Sequence, residues 1–435
     1  MTEKPKFNVI RRLRERGLIE DMSESDPSLE ALVESHSLGV YAGIDPSADS
    51  MHLGHLNMII AMRWWQMAGH RCYLLVGGAT GRIGDPGGRA AERPLKPIEE
   101  VQSCAAALGA QIRSIMPASD EAEHPVQMRN NFDWFGSMSA LDFLRDVGRY
   151  FRLGPMLAKE MVRTRLQSPE GLSYTEFSYQ LLQGYDFMHL FEKDKVAVQL
   201  GGSDQWGNII SGIDLVRKRL GSAVYGVTWP LLLRSDGKKF GKSENGAVWL
   251  SRERMSPYDF FQYLLRVPDA DVVTLLKRLT FLSLEKIAEL EHKYREGVAE
   301  PYEGQRLLAS EVTLFVHGER GLAEALEATQ RAAPGGSVDL SAGSLAELAR
   351  QLGSLQLAEH QLNGCKIVDL LMQAKLCVSK GEARRLIANG GVSLNNRRID
   401  DEGQIFLLQD LIECRFAVLA VGKRKRIVIE RIMDS

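Results

Sequence analysis

Apolar positions switch between two periods along the first half of the chain. Gly39-Val40-Tyr41-Ala42-Gly43-Ile44 is a short strand-like run closed by the turn pair Asp45-Pro46. Residues 56–69 then carry apolar side chains at helical spacing. A compact apolar strand at 72–76 breaks at Gly77-Gly78. Another at 196–200 ends at Gly201-Gly202 and leads into a helix at 208–220. Strand, glycine turn and helix, repeated, predict an α/β fold with a doubly wound parallel sheet, Rossmann-like, whose ligands lie at the carboxyl ends of the strands. From 256 to 332 helical spacing takes over, with helices expected at Pro257–Leu265, 270–279, 284–295 and 302–317. Ala333-Pro334-Gly335-Gly336-Ser337 reads as a break, and the stretch up to Gly364 as a tether. The remainder predicts helices at 367–374 and 380–389, a Gly390-Gly391 turn, and strands at 392–394, 415–421 and 426–431, an α+β module.

Five segments follow: a catalytic domain with a connecting insertion (1–230), a basic loop and linker (231–255), an α-helical domain (256–332), a linker (333–365) and the small module (366–435). A chain of 435 residues suits several domains, at roughly 150 residues each. Hydrophobic residues at 44% and charged residues at 25% exclude wholesale disorder. No apolar run approaches the ~18 residues of a bilayer span, so no membrane partner is expected. Residues 1–22 lack an apolar signal core, and Glu3, Glu15 and Glu20 suit a mitochondrial presequence poorly. Cys72, Cys104, Cys365, Cys377 and Cys414 show no Cys-x-x-Cys spacing, which argues against a zinc ribbon or disulfide framework and for a reducing, cytoplasmic setting. Charge is uneven. Residues 366–435 hold 13 basic and 9 acidic side chains, +4, in a chain of −2, which leaves −6 for the rest. Such a tail suits a polyanion, or is only a solvated basic surface.

Candidate chemistry gathers in four places. Gly43-Ile44-Asp45-Pro46-Ser47, followed by His52-Leu53-Gly54-His55, opens a helix at a position that favours anions. The two imidazoles could cap the helix, ligate a metal or face a ligand, but no Cys or carboxylate cluster completes a metal site. Asp236-Gly237-Lys238-Lys239-Phe240-Gly241-Lys242-Ser243 is a basic loop. It encloses only three residues between Gly237 and Gly241, so it is not a P-loop; it is a solvated turn or a cationic clamp for polyphosphate. Tyr179, Gln183 and Asp186 lie at i, i+4 and i+7 on a helix expected over 176–191, a polar stripe that faces water or lines a polar pocket. Gly202, Asp204 and Gln205, at the strand end Gly201-Gly202-Ser203-Asp204-Gln205-Trp206-Gly207-Asn208, suit ribose hydroxyls. The segment from Gly77 to Asp85 lacks Gly-x-Gly-x-x-Gly spacing.

Together these residues resemble bacterial-type tyrosyl-tRNA synthetases, of class I. The histidine phrase and Lys239-Phe240-Gly241-Lys242-Ser243 correspond to that class's two signature motifs. The basic tail is similar to the S-four-like RNA-binding domain that ends these enzymes. Ser47 stands where many relatives carry Thr, and Phe240-Gly241 replaces the Met-Ser of the wider class, which favours the bacterial or organellar branch.

The resemblance implies that Tyr41 and Asp186 hold a tyrosine phenol, and that Asp85, Tyr179 and Gln183 hold its ammonium. It implies that Gly43, Asp45, Gly54, His55, Gly202, Asp204 and Lys242 bind ATP, with Gln205 near the reacting carboxylate. Ser47, His52, Lys239, Lys242, Arg89 and Arg93 would surround the phosphates, and Arg217 and Lys218 the acceptor end of tRNA. The implied partners are L-tyrosine, ATP with Mg2+, tRNA(Tyr) and a second copy in a homodimer. No permanent cofactor or structural metal is implied. A nucleotidylyltransferase, a non-catalytic RNA-binding paralogue and a tryptophanyl-tRNA synthetase are the competing readings.

Overall fold

Strands Gly39–Ile44 (β1), Arg71–Val76 (β2), Gln127–Asn130 (β3), Val196–Gly202 (β4) and Tyr225–Trp229 (β5) pair in the order β3-β2-β1-β4-β5, all parallel. The computed structural model describes residues 5–87, 96–116, 124–237, 240–243, 246–331, 345, 349, 354–422 and 425–432; of Met161, Lys242, Ser243 and Arg331 it describes the backbone only. The chain forms two units: residues 1–256 with 262–318, and 257–261 with 319–435. In the first unit the strand order reverses between β1 and β4, the switch point where parallel sheets open a crevice.

Helices Val9–Glu15 (α1), Leu29–Ser35 (α2), Leu53–Met67 (α3) and Ile98–Ile115 (α4) belong to the first half of this unit. Four short helices follow β3: Phe132–Phe135 (α5), Ala140–Asp146 (α6), Leu153–Leu157 (α7) and Glu160–Leu166 (α8). The long helix Tyr174–Asp194 (α9) starts where Ser173 Oγ accepts the Glu176 N–H, and stops where Lys195 turns left-handed (φ 56°). It packs on Trp206–Leu220 (α10), and a Cβ on Gly212 would come within 2.9 Å of Phe187, so glycine sets that close approach. Tyr41, Tyr73, Phe187, Leu190 and Leu215 form the core there.

Lys242–Ser243 (β6) and Gly246–Ala247 (β7) make a small antiparallel pair. Helices Pro257–Leu265 (α11), Asp269–Leu279 (α12), Leu284–Glu296 (α13) and Glu303–Arg331 (α14) follow. A helix ending at 317 was the expectation; α14 breaks there and resumes, because Gly318 adopts φ 69°, ψ −179°, a conformation open to glycine. In the second unit, Ser354–Ala358 (β8), Val392–Leu394 (β9), Arg397–Arg398 (β10), Phe416–Val421 (β11) and Lys425–Ile432 (β12) pair in the order β10-β9-β11-β12-β8. The core beside this sheet includes Leu370, Leu371, Ile387, Phe406 and Leu419.

Most expected elements form within a few residues of their predicted ends. Helix α3 begins three residues early because His52 caps it. Strands β3 and β5 carry no sequence signal strong enough to mark them. β3 is only Gln127-Met128-Arg129-Asn130, an edge strand with polar residues. The tether expected over 333–365 is corrected at its end: Ser354–Ala358 is a strand paired parallel to β12, its short alternation hidden by small and polar residues. Most of the preceding stretch lies outside the described residues.

Helix α9 is pinned at its first turn by an ion pair. Arg165 and Glu176, with side chains 4% and 2% exposed, meet at 2.7 Å. Glu176→Ala strands a buried guanidinium, and the expected loss is about 3–5 kcal/mol. Urea unfolding followed by tryptophan fluorescence checks this; an unchanged midpoint contradicts it.

Candidate active site

The carboxyl ends of β1 and β4 open into a cavity of about 330 Å³, at the small end of the range for ligand clefts. Helix α9 supplies one wall. Tyr179, Gln183 and Asp186 all line the cavity, so the polar stripe faces a pocket rather than bulk water. Tyr41 comes from β1, where the period-2 alternation turns it toward the same space.

Asp186 is the most constrained group. It is buried, with Oδ2 accepting from Asn131 Nδ2 at 3.1 Å and Oδ1 from Trp134 Nε1 at 2.9 Å. Burial pushes its carboxyl well above the usual range, and the two donated hydrogen bonds offset only part of that. Burial, then the Asp186 charge, raises the Tyr41 phenol. Tyr41 Oη, Gln183 Oε1 and Gln199 Oε1 are buried with no hydrogen-bond partner among the described residues. Buried polar atoms left this way mark places for a ligand's polar groups.

A second network joins the strand ends. Tyr179 Oη donates to Asp45 Oδ2 at 2.8 Å, and Thr80 Oγ1 donates to Asp45 Oδ1 at 2.7 Å. Asn131 Nδ2 also reaches Thr80 Oγ1 at 2.9 Å, which ties this cluster to Asp186. Gly77 has to be glycine, since a Cβ there would fall 2.0 Å from Asp45 Oδ1. Asp85 accepts from Gln205 Nε2 at 2.7 Å and from the Gly87 N–H at 2.9 Å. The Asp45 and Asp85 carboxyl groups thus both lie close to Tyr179 on this wall of the cavity, which favours a cationic group beside it.

The opposite end presents donors. His52 Nδ1 accepts the Gly54 N–H and His55 Nδ1 accepts the His52 N–H, each at 3.1 Å, a capping box built from imidazoles. Because each Nδ1 is an acceptor, each neutral ring carries its proton on Nε2 and donates from there. The rings stack with centroids 3.9 Å apart. Gly54 serves this stack: an added Cβ would sit 2.9 Å from His52 Cε1. The basic loop meets the same turn, where Gly241 (φ +88°) lies against Leu53 and the Gly54 N–H. Its N–H donates to Tyr263 Oη at 3.1 Å, and Phe240 packs on the Tyr263 ring.

The cavity therefore gathers Tyr41, Gly43, Asp45, Ser47, His52, Gly54, His55, Asp85, Tyr179, Gln183, Asp186, Gly202, Asp204 and Gln205. Lys239, Arg89 and Arg93 lie outside the described residues, as does the Lys242 side chain. Arg217 and Lys218 are elsewhere on α10, both paired with Asp214; Lys218 lines a different cavity with Tyr150, Lys159 and Trp206.

Residues 34–333 match the family described as tRNA synthetases class I (W and Y). Residues 345–429 match the tyrosine–tRNA ligase SYY-like C-terminal domain, which decides between the two amino acids. The chain belongs to the tyrosine–tRNA ligase family. As a member it is an aminoacyl-tRNA synthetase, a ligase. It is 47% identical to the tyrosine–tRNA ligase of Protochlamydia amoebophila, covering 98% of this chain and 100% of that one. It is 46% identical to the chloroplastic/mitochondrial tyrosine–tRNA ligase of Arabidopsis thaliana, covering 97% and 83%. A C-terminally truncated mitochondrial tyrosyl-tRNA synthetase of Aspergillus nidulans superposes with a TM-score of 0.65 at 30% identity, covering 74% of this chain and 92% of that one.

Sequence reasoning missed the residues that support this cavity. Thr80, Asn131 and Trp134 hold Asp45 and Asp186, and Gln199 and Leu231 line the cavity. Thr80 alone had a signal, inside the glycine-rich segment after β2.

The raised Asp186 carboxyl gives a pH test. Above the unfolded pKa the native state holds a proton the unfolded chain has lost, so stability falls as pH rises through the folded value. Asp186→Asn removes that titration. Its melting temperature is expected to fall less between pH 4 and 8 than that of the ligand-free parent; equal slopes contradict the desolvated carboxyl.

Proposed function

We propose that the cavity binds L-tyrosine against α9 and ATP at the histidine end, and forms tyrosyl-adenylate before charging tRNA(Tyr). The carrying observation is the unpartnered Tyr41 Oη lining the same cavity as the buried, hydrogen-bonded Asp186 carboxyl group. A phenol hydroxyl donates to Asp186 and accepts from Tyr41. Phenylalanine leaves the buried Tyr41 hydroxyl unpaired and brings Asp186 no donor, a cost that discriminates without a separate editing step. Asp85, Tyr179 and Gln183 take the ammonium.

The tyrosine carboxylate attacks the α-phosphorus of ATP in line, and the bond to the β-phosphate breaks as pyrophosphate leaves with the electron pair. The terminal ribose hydroxyl of tRNA then attacks the tyrosyl carbonyl, AMP departs, and the hydroxyl proton is lost. The protein provides no nucleophile. Its work is orientation and charge stabilisation, strongest when phosphorus is five-coordinate. His52 and His55 donate from Nε2 toward the phosphates, joined by Ser47, Lys239, Lys242, Arg89 and Arg93. Gly43, Asp45, Gly54, Gly202 and Asp204 frame the nucleoside, and Gln205 stands by the reacting carboxylate. Mg2+ would accompany ATP and pyrophosphate as a companion of the phosphates, whose charge it neutralises.

Arg217 and Lys218 are assigned to the tRNA acceptor end, the helices of 256–332 to the anticodon side, and the basic module from 366 to RNA binding. Among the described residues no helix is long and apolar enough to cross a membrane, and the reading places the chain in the cytoplasm. The homodimer rests on a patch around α6 to α9. Leu141, Leu153 and Tyr174 are 78%, 65% and 71% exposed, joined by Leu144, Leu157 and Leu166. Such a patch on a lone surface is costly, and its own copy covers it by two-fold symmetry.

Pyrophosphate exchange with each amino acid tests the function. Tyrosine alone is expected to support it, and Asp186→Ala to impair tyrosine activation far more than ATP binding. Exchange driven by tryptophan, or by no amino acid, rejects the reading. For the dimer, Leu141→Asp combined with Leu153→Asp is expected to sediment as a monomer; an unaltered sedimentation coefficient counts against this face.

A further inference from the structure

Behind the histidine turn sits a buried clamp. Ser50 and Met51, the two residues before His52, are buried. The Met51 N–H donates to Gln111 Oε1 at 2.7 Å, and Gln111 arrives from α4, 60 positions along the chain. Gln111 Nε2 donates to Ser50 Oγ at 3.3 Å, and the Ser50 hydroxyl donates to the Met51 carbonyl at 2.8 Å. The Ser251 N–H completes the knot on Ser50 Oγ at 3.2 Å.

The same stretch is laced to the segment that follows the basic loop. The Leu250 N–H donates to Met51 O at 2.9 Å, the Leu53 N–H to Val248 O at 2.8 Å, and the Val248 N–H to Gly241 O at 2.9 Å. A continuous path of hydrogen bonds therefore runs from Gln111 to the histidine turn and on to the loop. Gln111 itself does not face the substrate cavity. It lines a separate, larger cavity of about 970 Å³, with Arg63, Met67, Arg252 and Phe281.

We propose that Gln111 is a positioning residue for adenylate formation, fixing the Met51 peptide and so the direction in which His52 and His55 present their Nε2–H groups. This rests on the function proposed above. The cap bonds between His52, Gly54 and His55 lie inside the turn and move with it as a body. They hold its shape and leave its aim to contacts outside it. Gln111 supplies such a contact on the peptide immediately before His52. Without it the buried Met51 N–H loses its acceptor, and the turn tilts. A small misplacement of groups that stabilise a transition state lowers the rate while sparing binding contacts made elsewhere. Tyrosine is held from β1 and α9, so its KM stays put.

Two variants of the full-length protein separate reach from chemistry. Gln111→Asn keeps the amide and falls short of Met51; Gln111→Glu keeps the length and the acceptor. In tyrosine-dependent pyrophosphate exchange, Gln111→Asn is expected to lose on the order of tenfold in kcat with the tyrosine KM within about twofold. Gln111→Glu is expected to stay within about threefold of the parent in kcat. Ser50→Ala, which removes the other half of the clamp, gives the same kcat-only loss and decides the matter should Gln111→Asn fail to fold. Parent-like kcat in folded Gln111→Asn, or in Ser50→Ala where that variant fails to fold, overturns the proposal. So does a Gln111→Glu as impaired as Gln111→Asn. A parent protein that shows no tyrosine-dependent exchange rejects the underlying function instead.

Discussion

Burying a carboxylate is among the costliest things a fold does, and this one buries Asp186 on the wall of a cavity. The surroundings are arranged to make that tolerable. Asn131 and Trp134 each donate to it, and Asn131 also holds Thr80, which holds Asp45, which accepts from Tyr179. The sheet order brings these residues together, because β3, β2 and β1 lie side by side and α9 carries Tyr179 and Asp186 to the partners that follow them. Remove the carboxylate and the donors lose their partner; remove the donors and the charge has none. A group held at such cost makes sense where a ligand repays it, as a phenol hydroxyl does by hydrogen bonding on the proposed reading.

The cavity is polarised along its length. Asp45, Asp85 and Asp186 lie near α9, while the imidazole donors and the basic loop belong to the turn that opens α3. On the proposed reading, an ammonium and a polyphosphate sort themselves by this difference before any specific contact forms. The loop and the histidine turn belong to one ladder, through Gly241, Val248 and Leu53, so the donor end behaves as a single piece. Its orientation is then a property of the whole ladder rather than of either histidine.

Much of this was legible in the chain, and the exceptions have physical causes. The i, i+4, i+7 stripe on α9 was legible as a stripe facing either water or a polar pocket, and the cavity decides for the pocket. The strand–glycine–helix rhythm announced the parallel sheet, because buried strands read as apolar runs. The strands β3 and β5 did not announce themselves: one is a four-residue polar edge, the other follows Gly221 without a turn motif. Asn131 and Trp134 were invisible for the same reason, as they follow an unread strand and act across 55 and 52 positions of sequence. Gly54 was legible only as a residue expected to meet ATP. What approaches it proved to be the His52 ring, a contact only coordinates reveal.

A crystal structure of the full chain with bound L-tyrosine is the most direct check. The account predicts the phenol oxygen within hydrogen-bonding distance of both Tyr41 Oη and an Asp186 carboxylate oxygen, with Asn131 and Trp134 still donating to that carboxylate. An aromatic ring bound elsewhere, with Asp186 turned out to solvent, contradicts it.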